Sequence, residues 1–462
     1  MSGAGAGAPE RDPAGTREPK SKLARRVGPV MLLLFIVGDM LGGGIYTLVG
    51  EVGGEVGGAI WTAFAVAFIL AGLTACAYAE LVSKYPYAAG AALYANKAFD
   101  KPFFTFMVAF AVMASGITSA STLARGFAGD ALGEFVDVSV IPVAIAFLIV
   151  VALVNARGIA ESVRLNAVLT FIEVGGLILI IVIGFAALGD PGADLGRNLE
   201  FKEGTTPLFA ILSGAGLAFY ALIGFEDSVN IAEEVRDPSR TYPRILFGGL
   251  AIAGTIYLLV TVVASGVVPT AELSSSTAPL VLVGEQGPLG LDPKAFAAIT
   301  LFALANGALI NMIMASRLVY GMAEEGIVPG FFGRVLSGRR TPITAIVFTT
   351  VLGLILVSTG DLASLADTTV LLLLCAFAIV NVAVLVLRRD EVSHPHFRAP
   401  TIAPILGAIV CVVLIVDNEG EIFLRAGLLL VLGAVLWVLA YAGGHRQGDD
   451  DPAAPTEGKE RG

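Results

Sequence analysis

Two stretches of this 462-residue chain place reactive residue types where simple packing has no use for them. The first is Gly38-Asp39-Met40-Leu41-Gly42-Gly43-Gly44-Ile45, a carboxylate one helical turn ahead of three consecutive glycines. The second is Phe219-Tyr220-Ala221-Leu222-Ile223-Gly224-Phe225-Glu226-Asp227, two acids just beyond a glycine. Both lie inside long apolar runs. Glycine weakens a helix, so an unwound segment is expected in each. Unwinding frees backbone N–H and C=O groups at a depth where no bulk water satisfies them. A zwitterionic ligand supplies both complements. Its carboxylate suits the N–H groups of Gly42, Gly43 and Gly44, at a half-helix N-terminus. Its ammonium suits the carbonyls of Tyr220, Ala221 and Ile223. Met40, Tyr220 and Ile223 are then candidate walls for its side chain. The competing reading is a pair of glycine-rich seams that let helices pack closely.

A third signal is Glu173, in Leu169-Thr170-Phe171-Ile172-Glu173-Val174. Asn166, Thr170 and Glu173 are spaced to share one helical face. A carboxylate buried at membrane depth needs a functional or pairing reason. Glu173 can serve as a proton carrier, as a hydrogen-bonded strut, or as a cation ligand with oxygens of neighbouring helices. Asp39 is a second protonatable candidate, or an attractor for a cationic ligand, or a cap for the broken helix. Glu226 suits gating or helix-end hydrogen bonding. Glu233, Glu234, Arg236 and Arg240 suit ion pairs at the mouth below the second break. Ser115, Ser119 and Thr122 line one helical face, either for packing or beside a ligand path.

The elements that must hold these residues are membrane helices. Runs of about 20 apolar residues cross about 30 Å of hydrocarbon. Twelve candidate spans fall at 28–50, 56–82, 101–126, 139–155, 165–188, 207–233, 243–268, 294–317, 342–359, 363–387, 400–416 and 422–442. With a cytoplasmic N-terminus, only Arg125, Arg197, Lys202, Lys294 and Arg425 of the 29 basic residues fall outside. The positive-inside rule then sets both termini in the cytoplasm. Five spans separate the start of one interrupted span from the start of the other. An odd number gives the two units opposite orientations, which points to an inverted repeat with its site at the midplane.

Composition agrees. Hydrophobic residues make up 56% and charged ones 15%, against roughly 25% charged in a soluble domain. Mean hydropathy is +0.82. Cys76, Cys375 and Cys411 lie in or beside apolar runs and form no disulfide or metal framework. His394-Pro395-His396 reads as a solvated loop. No basic patch with interleaved aromatics suggests nucleic acid. Residues 1–24 read as a disordered cytoplasmic tail and 443–462 as a second one. No cysteine–histidine cluster, GxSxG, HExxH or phosphate loop is present, so the chain is not read as an enzyme and no cofactor is expected.

The same stretches resemble the amino acid–polyamine–organocation (APC) permease superfamily. Gly38 to Tyr46 is similar to its first-helix pattern. Phe219 to Glu226, Ala232-Glu233-Glu234-Val235-Arg236-Asp237-Pro238 and Tyr242-Pro243-Arg244 are similar to its sixth span and exit. Tyr78-Ala79-Glu80-Leu81 with Tyr85-Pro86 resembles the exit of its second span, and Ser316 to Pro329 the loop after its eighth. The resemblance covers about residues 25–440. It implies an all-α integral membrane protein with a leucine-transporter-like 5+5 inverted repeat. The ten-helix core would span 25–388, with spans 1 and 6 broken and two additional helices over 389–442. It also implies that the residues of the two breaks bind an amino acid backbone. Gly43 stands where many members have Ser or Thr, and Glu173 where many proton-coupled members have Lys.

The expected function is secondary active transport of an amino acid or organic amine across the plasma membrane. Proton-coupled symport by alternating access is the first expectation, with Glu173 and Asp39 in proton coupling. An exchanger is the alternative and a non-transporting sensor the third. Arginine in excess over lysine, with abundant Ala, Gly and Val, fits a GC-rich bacterial genome and hence an inner membrane.

Overall fold

The computed structural model describes residues 27–42, 44–87, 90–157, 159–276, 278–286, 292–324, 328–335, 341–416, 418 and 420–447. Gly43 lies outside them, as do the 1–24 tail and most of the 443–462 tail. Among the described residues the fold is helical, without a strand. Each apolar run of the sequence becomes a helix, because in a run without polar side chains only intrahelical bonds satisfy the backbone.

The first run splits into α1 (Pro29–Met40) and α2 (Gly44–Val56). α3 (Ile60–Lys84), the short α4 (Gly90–Phe99), α5 (Pro102–Gly126), α6 (Val140–Asn155) and α7 (Ile159–Ala187) follow. The sixth run splits into α8 (Pro207–Tyr220) and a 3₁₀ segment, Asp227–Glu234. Then come α9 (Pro238–Val267), the short α10 (Thr270–Ser275) and α11 (Pro279–Gln286), α12 (Pro293–Glu324), α13 (Ile343–Thr359), α14 (Leu362–Leu387), α15 (Ile402–Val416) and α16 (Gly420–Gln447). Prolines open α1, α5, α8 and α9 at the position where the missing N–H costs nothing. Asp361 caps α14, its carboxylate accepting from the Ser364 N–H at 2.8 Å.

By length and apolar composition, eight helical stretches among the described residues can cross a membrane. Four more are shorter apolar helices, Val140–Asn155, Pro207–Tyr220, Ile343–Thr359 and Ile402–Val416. Their outward faces are unlike those of a water-soluble bundle. Leu424, Leu428, Val431, Val435 and Val438 form an exposed stripe on α16, and Val168, Phe171, Ile178, Val182 and Phe185 another on α7. Hydrocarbon is the solvent that tolerates such patches.

The helices pack in two groups. α1, α2, α3, α8 and α9 contact one another, and so do α5, α6, α12 and α13. α7 touches both groups, against α1 and α9 on one side and α12 on the other. α14 does the same through α3, α8 and α5, and it also carries α15 and α16.

Candidate functional site

The two helix breaks face each other. α1 ends at Met40, and Leu41 closes it by donating its N–H to the Val37 carbonyl at 2.8 Å. The chain resumes as helix at Gly44. α8 ends at Tyr220, and six residues pass before the 3₁₀ segment starts at Asp227. Gly224 adopts φ +115°, which only glycine takes without strain. A Cβ there would lie 2.9–3.1 Å from the backbone and carboxyl carbon of Asp39. A Cβ on Gly44 would lie 3.3 Å from the Ala221 Cα and 3.4 Å from the Tyr220 ring. Glycine is therefore needed at both positions for a second reason, the close approach of one break to the other.

Freed backbone groups at the breaks find partners in part. The Met40 carbonyl accepts from the Tyr257 hydroxyl of α9 at 2.5 Å. The Gly224 N–H donates to the Glu226 carboxylate at 2.8 Å, so Glu226 caps the break from within. The Tyr220 carbonyl accepts from the Ile223 N–H at 3.4 Å. Among the described residues, the Gly42 N–H and the carbonyls of Ala221 and Ile223 have no backbone partner. Met40, Tyr220 and Ala221 are buried, and Ile223 is half-buried against the same core. The Tyr220 hydroxyl meets the Ser119 hydroxyl of α5 at 3.1 Å. Ser115 bonds back along its own helix to Val112, and Thr122 to Thr118 while also lying beside the Tyr220 hydroxyl.

Glu173 lies on α7, buried completely, and neither carboxylate oxygen has a hydrogen-bond partner among the described residues. Its carbonyl accepts from the Tyr46 hydroxyl of α2 at 2.9 Å. The Asn306 amide of α12 lies beside its carboxylate without completing a hydrogen bond, and its oxygen accepts from Asn166 at 3.3 Å. Thr170 packs so closely on Gly38 that a Cβ there would strike its side chain. The α7 face read from spacing is thus the buried one: Asn166, Thr170 and Glu173 point inward while Val168 and Phe171 are exposed. Asp39 is 9% exposed with one oxygen unpartnered, within electrostatic reach of Asp227, Glu226 and Glu173. A small cavity of about 10 Å³ is lined by Tyr46, Ala131, Ala278, Val281, Phe296, Ala297 and Thr300. It therefore borders the tyrosine that holds the Glu173 backbone.

Asn306 and Tyr257 are site residues that sequence reading missed. Each is a polar group in the middle of an apolar run, which is the signal that would have found them. The side chains of Glu233 and Glu234 lie outside the described residues, and with them the ion pairs expected to Arg236 and Arg240. The His394 ring, in the loop that holds His394 and His396, meets the Ser83 carbonyl at 3.1 Å.

Comparison with known proteins points the same way. A family model described as an amino acid permease matches residues 27–421. The chain is 31% identical to a vacuolar cationic amino acid transporter of Arabidopsis thaliana, over 79% of the chain and 64% of that protein. It thus spans just under two thirds of that relative. It is 27% identical to a methylthioribose transporter of Bacillus subtilis and 25% identical to a branched-chain amino acid permease of the same organism, each over 91% of this chain and 94% of the other. Since the match runs through both breaks and nearly every helix around them, the chain belongs to the amino acid permease family of the amino acid–polyamine–organocation superfamily.

Proposed function

We propose that the chain is a secondary active transporter that carries an amino acid by alternating access, in symport with a proton. The observation that carries this is the pair of facing breaks. They present a backbone donor at Gly42 and backbone acceptors at Ala221 and Ile223, all without backbone partners among the described residues. A zwitterion's carboxylate and ammonium would complete them, the carboxylate lying near the N-terminus of α2 by the glycines 42–44. Met40, Tyr220 and Ile223 would wall the side-chain pocket. Four carboxylates, Asp39, Glu173, Glu226 and Asp227, surround the breaks, which favours a substrate with a cationic side chain.

Glu173 is the proposed proton carrier, with Asp39 as a second group. A carboxylate sealed from solvent without a hydrogen-bond partner needs a proton or a cation beside it. The Asn306 amide is placed to take up the charged form. The reading extends to twelve spans. Residues 25–388 form an inverted-repeat core, 389–442 two further helices, and both termini lie inside a bacterial plasma membrane. The grouping of helices around α7 and α14 supports it.

The test is uptake by the purified protein in liposomes. Labelled amino acids and polyamines are offered in sodium-free buffer with and without an inward proton gradient. Accumulation that collapses with a protonophore is the expected result. Uptake that needs unlabelled substrate preloaded inside identifies an exchanger and removes Glu173 from its role. Uptake that needs sodium does so as well.

A further inference from the structure

The Tyr78-Ala79-Glu80-Leu81 stretch has no part in the site above, yet its acid is among the most heavily bonded side chains in the molecule. Glu80 sits near the end of α3, and Arg388 follows the last residue of α14. Arg388 donates from Nε to one Glu80 oxygen at 2.9 Å and from Nη2 to the other at 2.7 Å. Glu80 is 2% exposed and Arg388 10%. The remaining capacity of the pair is spent on the segment 388–401, which joins α14 to α15. The Ala399 N–H donates to Glu80 at 2.9 Å, while Arg388 donates to the Ala399 carbonyl at 2.7 Å and to the Thr401 hydroxyl at 2.8 Å.

The same segment is stitched to the rest of the α3 terminus. The Phe397 N–H donates to the Ser83 hydroxyl at 3.0 Å. Lys84 donates to the Leu387 carbonyl at 2.5 Å and to that of Asp390. The Tyr85 hydroxyl donates to the Asp390 carboxylate. Phe397 stacks edge-on against Phe247 of α9. The loop after α7 is fastened to the opposite ends of α3 and α9 in a comparable way. Asn198 donates to the Val262 carbonyl at 3.1 Å, and Trp61 donates to the Asn198 carbonyl at 2.9 Å. α7 and α14, which each touch both packing groups, therefore each run into a segment clamped onto the α3–α9 pair.

We infer that Glu80 and Arg388 are positioning residues that keep 388–401 closed on α3 throughout transport, so that α3 and the adjoining end of α14 move as one unit. A gate would be expected to use pairs that water can replace. Opening this one would strand a buried charge without a counter-ion and several backbone groups without partners. The inference rests on the alternating-access reading above.

The experiment is a cross-link. Ser83→Cys and Phe397→Cys are introduced after Cys76, Cys375 and Cys411 are replaced, the pair being chosen because the Ser83 hydroxyl lies 3.0 Å from the Phe397 backbone nitrogen. Oxidation should leave the initial uptake rate within about twofold of the reduced protein, while loss of about tenfold or more, reversed by dithiothreitol, overturns the inference. If neither form takes up any amino acid, the transport reading itself fails. A distance measurement then still decides on the brace. Spin labels at Ser393 and Arg244 should keep one separation with and without lysine or leucine, and a shift beyond about 5 Å, one helical turn, overturns it. Glu80→Gln should lower the maximal uptake rate about tenfold with KM nearly unchanged, and Glu80→Asp should lose less. A changed KM with an unchanged maximal rate contradicts a positioning role.

Discussion

At the scale of the residue, Glu173 is where the proposed proton coupling can be tested. Its carboxylate is buried without a hydrogen bond, a situation costing roughly 2.5–3.5 kcal/mol for a charged side chain at mid-membrane unless something offsets it. Glu173→Gln keeps the size and removes the titration. Gradient-driven accumulation should disappear while exchange against internal substrate persists, as measured with labelled substrate in preloaded liposomes. Accumulation that survives the change makes Glu173 a strut. The residue was legible from the sequence as an acid in an apolar run, and its face was legible from spacing. Its neighbours were not. Asn306 is 133 positions away in the chain, and no local pattern joins it to Glu173.

At the scale of the element, the candidate site owes its form to two helices that stop. Glycines announce both stops, but the reason the stops are tolerated lies on other helices. Tyr257 of α9 takes the Met40 carbonyl. Tyr257→Phe should leave that buried acceptor unpaired at a cost of about 1–3 kcal/mol. The melting temperature in detergent should fall accordingly, and an unchanged value shows that water replaces the hydroxyl. Gly224→Ala tests the other break. Its φ of +115° and the 2.9 Å approach of Asp39 leave no room for a methyl group. Substrate affinity should fall at least tenfold, about 1.4 kcal/mol, with membrane insertion retained. Unchanged affinity in a binding titration would place the ligand elsewhere.

At the scale of the whole molecule, the outward faces are apolar along α7 and α16 while carboxylates and amides gather inside. The arrangement is the reverse of a soluble fold's, and hydrocarbon outside is the reason. The distribution of basic residues adds a direction to it. With both termini in the cytoplasm, a cysteine at Glu203 should react with an impermeant thiol reagent in intact cells, and one at Arg389 only after permeabilisation. The opposite pattern reverses the orientation.

The sequence by itself determined the class of this protein. Length and hydropathy decide that a segment can cross a bilayer, and glycine content decides where a helix is weak; both are local properties. Twelve apolar segments, two interruptions and the acid of α7 therefore stood out in the chain, as did the family motifs. Tertiary structure decided what each interruption faces. It set Gly224 against Asp39, Gly44 against Ala221, Asn306 beside Glu173 and Arg388 on Glu80, pairs separated by between 133 and 308 positions. Such contacts arise from helix packing across the molecule, where the energy depends on which faces meet. One chain's local pattern carries no record of that choice.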